Sequence, residues 1–194
     1  MKTDIILAGV GGQGILTIAT ILGTAALKSD LCLKQAEVHG MSQRGGDVQS
    51  NLRISSSPIY SDLIPLKGAD LIVSLEPMEA LRYIPYLSDD GWVVTNTNPV
   101  INIDNYPKIE TIEMELKNLP NVIAFDMDNI AKELASPRSS NMVLLGATSP
   151  FIDITKIEIE DAIVNFFESK GERIIDANLR AFREGRNYTN KLLS

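Results

Sequence analysis

With one cysteine, Cys32, and one histidine, His39, this 194-residue chain has almost no metal chemistry of its own. A lone thiol closes no internal disulfide and cannot hold an iron–sulfur cluster of the usual four-thiolate kind. A conventional zinc site, which draws on several cysteines and histidines, is disfavoured on the same count. Redox chemistry would have to come from a cofactor or a partner. An excess of cationic side chains is also missing: 25 acidic against 18 basic residues give a net charge of −7. Nucleic-acid binding through clustered Lys and Arg is therefore not expected, whereas one local basic site for a small phosphate stays open. No apolar run approaches the roughly 18–20 residues that cross a bilayer, so no membrane association is expected. Asp4 and Gly9 break up any secretion-signal pattern, which makes the cytoplasm the expected location.

What the chain does have is alternation of strand and helix signals. "TDIILAG" is a short unbroken apolar run, as in a strand covered on both faces. Four glycines then fall between Gly9 and Gly14, and Ile15, Ile18, Ala19, Leu22, Ala25 and Ala26 recur at helical spacing. "LCLKQAEV" reads as a second strand. "DVQSNLRIS" alternates, with Val48, Ser50, Leu52 and Ile54 on one face and Asp47, Gln49, Asn51 and Arg53 on the other. That polar face suggests a sheet edge or a partner-facing strand. "ADLIVSLE", "WVVTNTN" and "NVIAFDMD" read as three further strands. Pro77 opens a helix expected to turn Met78, Leu81 and Ile84 inward. "NIAKELA", "SSNMVLLGATS", "IEIEDAIVNFFESKG" and "IIDANLRAF" read as helices, the third stopping at Gly171 and the last running to a polar tail. The expectation is a single domain over 1–194, an α/β three-layer fold with a largely parallel, Rossmann-like sheet and a helical C-terminal third.

Gly9, Gly11 and Gly14 match G-x-G-x-x-G at a strand–helix junction, where backbone N–H groups can attract a phosphate. Tight strand–helix packing alone would also explain them. Glu37 sits roughly where a ribose-binding acid belongs in such a site, yet the extra Gly12 and the planar amide of Gln13 point to a contact surface instead. "HGMSQRGG" should leave the ligand-binding edge of the sheet, with His39 as a candidate acid or base and Arg44 as a candidate carboxylate or phosphate clamp. Gly45 and Gly46 would let that loop bend or approach a ligand closely. Glu76 and Asn96 also fall at strand ends, where they could line the crevice or simply start a helix or turn. The two acids of "FDMDN" read as helix caps rather than a cation site, and "NMVLLGA" as a helix buried in the domain or at a subunit contact.

Taken in order, "GVGGQGI", "EVHGMSQRGG", "NMVLLGA" and "NLRAF" resemble the gamma-type subunit or domain of the 2-oxoacid:ferredoxin oxidoreductases over nearly the whole chain. His39, Met41, Ser42 and Gln43, in place of a loop of the tyrosine-glycine-proline-glutamate kind, favour the indolepyruvate-type branch. The resemblance implies a small subunit in CoA-dependent oxidative decarboxylation of an aryl pyruvate, with ferredoxin as electron acceptor. Thiamine diphosphate, magnesium and iron–sulfur clusters would lie in a large partner subunit, since this chain has neither the thiamine signature nor the cysteines. The turn Gly9, Gly11, Gly12, Gln13 and Gly14 and the loop residues His39, Arg44, Gly45 and Gly46 would then face that partner or coenzyme A. The competing expectation is a stand-alone NAD(P)-dependent dehydrogenase using the same glycine turn.

Overall fold

A computed structural model of the chain describes residues 1–39, 46–134, 136 and 138–194, with His39 described by its backbone alone. Six strands form one sheet: β1 (Lys2–Val10), β2 (Cys32–His39), β3 (Asp47–Ser55), β4 (Ala69–Ser74), β5 (Leu87–Asn96) and β6 (Val122–Phe125), in the order β2-β3-β1-β4-β5-β6. β1, β4, β5 and β6 run parallel, and β3 runs antiparallel to both of its neighbours. The largely parallel sheet is as expected. All eight residues from Thr3 to Val10 are buried in β1, which fits a strand covered on both faces.

The place of β3 differs from expectation. Its polar face suggested an edge, yet it lies inside, between β2 and β1, and β2 is the edge strand. The reason is that Asn51 and Arg53 of that face are satisfied by the segment 56–68 and by Asp4, while Asp47 at the strand's start stays exposed. Asn51 Oδ1 accepts from Ile64 N at 3.1 Å. Arg53 grips the buried Asp4 carboxylate at 2.8 and 3.0 Å and donates to the carbonyls of Ser61 and Leu63, each at 3.0 Å. A buried charge needs such pairing to be tolerated, and here the pairing is bidentate.

On one face the core joins β1 residues Ile5 and Leu7 to α1 (Ile15–Lys28), α4 (Met127–Glu133), α5 (Ser140–Thr148), α6 (Lys156–Phe167) and α7 (Glu172–Leu193). The other face is thinner, with Ile6, Ala8, Ile72 and Val93 packed under Ala80 and Tyr83 around α2 (Pro77–Arg82). Beside α2 runs α3 (Ile109–Lys117), which periodicity had not revealed, because only Ile112 and Leu116 of it are buried. Within α2 the expected inward face is also corrected. Pro77, Glu79 and Ala80 are buried, while Met78 and Leu81 are only half-covered. Glu79 tolerates burial because Arg82 holds its carboxylate at 2.8 and 3.1 Å.

The C-terminal third is helical, and α7 is longer than "IIDANLRAF", taking in the polar tail. Gly171, at φ 86°, separates α6 from α7 after one 3-10 turn, the left-handed conformation that favours glycine. The helix of "NMVLLGA" is buried within the chain: Asn141 to Thr148 of α5 are all covered, between the sheet and α7. Their crossing is close enough that a Cβ on Gly146 would lie 1.9 Å from Phe182 O, and one on Gly185 1.9 Å from Val143 O. No helix among the described residues is long and apolar enough to cross a membrane.

Candidate functional site

The C-terminal ends of the parallel strands meet the glycine turn at the switch point of the sheet, where β1 leads to one side and β4 to the other. A cleft of about 380 Å³ opens there, lined by Gly12, Gln13, Leu75, Asp128, Arg138, Ser140 and Asn141. The turn before α1 contributes Gly12 and Gln13 to it, and the first turns of α4 and α5 contribute Asp128, Ser140 and Asn141. Gly14, the residue before α1, has φ 84° and Gly12 φ 103°, so both need the left-handed backbone that side chains oppose. Gly14 must also be small for a second reason. A Cβ there would meet Asn141 Nδ2 at 2.7 Å, and that amide donates to Gly14 O at 3.3 Å.

Gln13 braces this turn. Its Oε1 accepts from Val10 N at 2.7 Å and its Nε2 donates to Leu75 O at 3.0 Å, joining the ends of β1 and β4. Gly11 N donates to Gly46 O at 2.8 Å, so the end of the "HGMSQRGG" segment is tied to the turn. The structure therefore brings Gly9, Gly11, Gly12, Gln13, Gly14 and Gly46 together. The backbone of His39 pairs with Val48, which pairs in turn with Gly9. Arg44 and Gly45 lie outside the described residues. Glu37 does not reach a ribose position, because β3 separates its strand from β1 by two strand spacings, about 10 Å. It accepts instead from Gln35 Nε2 at 2.6 Å.

Asp128 is the acid of the cleft. Burial opposes its ionisation, but hydrogen bonds from Ser140, Asn98 and Asn96 and the charge of Lys132 outweigh that and hold its carboxyl below the usual range. The Ser140 hydroxyl donates at 2.5 Å, Asn98 at 3.1 Å and Asn96 at 3.0 Å. The neighbouring Asp126 is the cap of α4, accepting from Asn129 N at 2.8 Å. Asn96 is an internal brace, donating to Asp128 and accepting from Met127 N at 3.0 Å each. Glu76 likewise caps α2 from inside: its Oε2 accepts from Glu79 N at 2.8 Å. Its other oxygen accepts from Val100 N at 3.4 Å and from the Tyr106 hydroxyl. Burial and that bond to Glu76 raise the Tyr106 phenol above its ordinary range.

Sequence reasoning missed Arg138, Ser140 and Asn141. Asn141 carried a signal, being a polar residue at the head of an otherwise apolar helix. Arg138 carried none, since its position depends on how α5 lies against α1. What the cleft offers chemically is a cation, an ionised acid and several amides. Among the described residues no three His, Cys, Asp or Glu side chains are grouped to hold a metal ion.

An open α/β sheet with a polar cleft at its switch point defines a Rossmann-like binding domain. Residues 4–188 match the pyruvate ferredoxin/flavodoxin oxidoreductase family, and the chain belongs to it. It is 37% identical over 192 residues to the indolepyruvate oxidoreductase subunit IorB of Methanothermobacter thermautotrophicus, covering 95% of this chain and 96% of that one. Two solved structures share the fold. One is a 2-oxoglutarate:ferredoxin oxidoreductase from Magnetococcus marinus, with 2-oxoglutarate, coenzyme A and succinyl-CoA bound (TM-score 0.78, 24% identity). This chain is covered to 98% in that comparison and spans 31% of that much longer chain. The other is the gamma subunit of a keto/oxoacid ferredoxin oxidoreductase from Geobacter sulfurreducens (TM-score 0.72, 21% identity), with 97% and 99% covered.

Proposed function

We propose that this chain, acting as a single domain over 1–194, is the small subunit of an indolepyruvate-type 2-oxoacid:ferredoxin oxidoreductase of the cytoplasm. The observation that carries the reading is end-to-end similarity to a subunit of that name. In this reading a larger partner holds thiamine diphosphate, magnesium and the iron–sulfur clusters and decarboxylates an aryl pyruvate, passing electrons to ferredoxin. The small subunit's part is recognition. Its braced glycine turn contacts coenzyme A where the two subunits join, and His39, Arg44, Gly45 and Gly46 are assigned to the same contact. Two features support this part: Gly12 and Gln13 line a polar cleft with Arg138, and Gly11 is bonded to Gly46. Phosphates of coenzyme A suit arginines and exposed backbone N–H groups.

The test is anaerobic co-purification of the tagged chain from its host, with the eluate assayed for reduction of a viologen dye that depends on indolepyruvate and coenzyme A. A large cysteine-rich, thiamine-binding subunit should co-elute with that activity. In the complex, Arg44→Ala should raise KM for coenzyme A about tenfold through loss of a charge-assisted contact. An unchanged KM would remove Arg44 from the coenzyme A site, and a chain that elutes alone and binds NADH would overturn the whole reading.

A further inference from the structure

Between Val100 and Tyr106 the chain makes a loop whose two ends are tied to one carboxylate. Glu76, fully buried at the end of β4, accepts from Val100 N and from the Tyr106 hydroxyl. Tyr106 N closes the turn onto Ile103 O at 3.3 Å. Everything from Ile101 to Asn105 is nonetheless exposed, with Ile101 at 67% and Ile103 at 42%. A loop tip serving only as a connection has no reason to be apolar, and two isoleucines left in water gain nothing from the fold. A loop tied at its base, in contrast, has already lost much of the freedom that binding would otherwise remove.

The surroundings say what the tip would meet. Ile109 and Met114 of α3 are exposed at 39% and 54%. Met78, Leu81, Pro107 and Ile112 line an open groove of about 430 Å³ between α2 and α3. The charged residues of this region are Asp104, Glu110, Glu113 and Glu115 against Lys108, Lys117 and Arg82. Arg82 is paired with the buried Glu79 at 2.8 Å and Lys117 is drawn to Glu113 at 3.5 Å, which leaves Asp104, Glu110 and Glu115 as an acidic excess over Lys108. A second copy of this chain would bring the same acidic surface and be repelled, whereas a partner with a basic rim would be attracted. The loop also adjoins the cleft, since Leu75, which lines it and holds Gln13, immediately precedes Glu76.

We propose that loop 101–105 is a docking element for the large partner subunit, its isoleucines entering an apolar socket rimmed by Lys and Arg. The inference rests on the small-subunit reading above. It commits the partner's position to the α2–α3 side of the cleft, with the loop as anchor and the acids as its steering charge.

The test uses the two purified subunits under anaerobic conditions, with binding measured by interferometry. The double variant Ile101→Asp, Ile103→Asp should bind about thirtyfold more weakly than the natural chain, as expected for a central apolar anchor. Leu27→Asp, at a residue 61% exposed at the opposite end of α1, should change the affinity less than about twofold. Thermal melts matching the natural chain would show that both variants fold. Asp104→Lys with Glu110→Lys should slow association about tenfold at low salt. Natural binding by the isoleucine double variant would overturn the docking role and leave the subunit reading intact. Failure of the natural chain to bind the large subunit would overturn both. Self-association of the natural chain that the isoleucine variant abolishes would make the occupant a second copy and overturn the proposal, as would faster association after charge reversal.

Discussion

At the scale of single residues, the glycine turn is explained by what lies against it. Gly9 is small because the amide of Gln13 and the side chain of Ile15 occupy the space its Cβ would fill, each 2.9 Å away. The amide there joins two strand ends, accepting from Val10 N and donating to Leu75 O. Gln13→Met, similar in size without either hydrogen bond, should lower stability by about 2 kcal/mol, from two bonds worth about 1 kcal/mol each. Urea unfolding of the isolated chain measures it. Gly14→Ala should cost about 1–2 kcal/mol for the left-handed backbone alone. Because it also displaces Asn141, it should disturb the start of α5 as well as that of α1. Amide exchange at residues 15–17 and 140–143 would register both effects.

At the scale of elements, the crossing of α5 and α7 depends on Gly146 and Gly185. A methyl at 1.9 Å from a backbone carbonyl cannot be relieved by a rotamer change, so the helices must move apart. Gly146→Ala should destabilise the chain by about 3 kcal/mol and expose α7, including the fully buried Phe182, to protease. Limited proteolysis with mass spectrometry would find new cuts within 172–193. The latch at Glu76 belongs to the same scale. Tyr106→Phe leaves a buried carboxylate oxygen with one donor fewer, and should speed amide exchange across 100–106 without lowering the protection of β4.

For the whole molecule, stability should fall at both ends of the pH range. Tyr83 is pushed up to about 12 by burial first and then by the charges of Glu79 and Asp47, with Arg82 opposing. A phenol whose folded value is raised stabilises the fold fully below its unfolded value near 10, and that contribution is lost as pH rises through about 12. Tyr83→Phe should therefore move the alkaline unfolding midpoint upward, as read by circular dichroism. Asp128 acts in the opposite sense. Its carboxyl is depressed in the fold, so its contribution is present above the ordinary carboxylate range and disappears as pH falls through the lowered value. Asp128→Asn should flatten the acid limb and leave the alkaline limb unchanged.

Local chemistry was enough to reveal all six strands, the glycine turn and the start of α2 at Pro77, because each depends on the apolar run or turn residue at hand. The same holds for the family, whose short segments stand in order along the chain. Tertiary structure alone decided that β3 lies inside the sheet, since Asn51 and Arg53 are satisfied by residues 56–68 and by Asp4, groups an alternation pattern does not contain. It alone decided that Glu79 is buried where Met78 was expected, because an arginine one turn on compensates the charge. Arg138, Ser140 and Asn141 joined the cleft for the same reason. Periodicity reports which face of an element is apolar, whereas the partners of a polar group come from distant parts of the chain and exist only once the chain has folded.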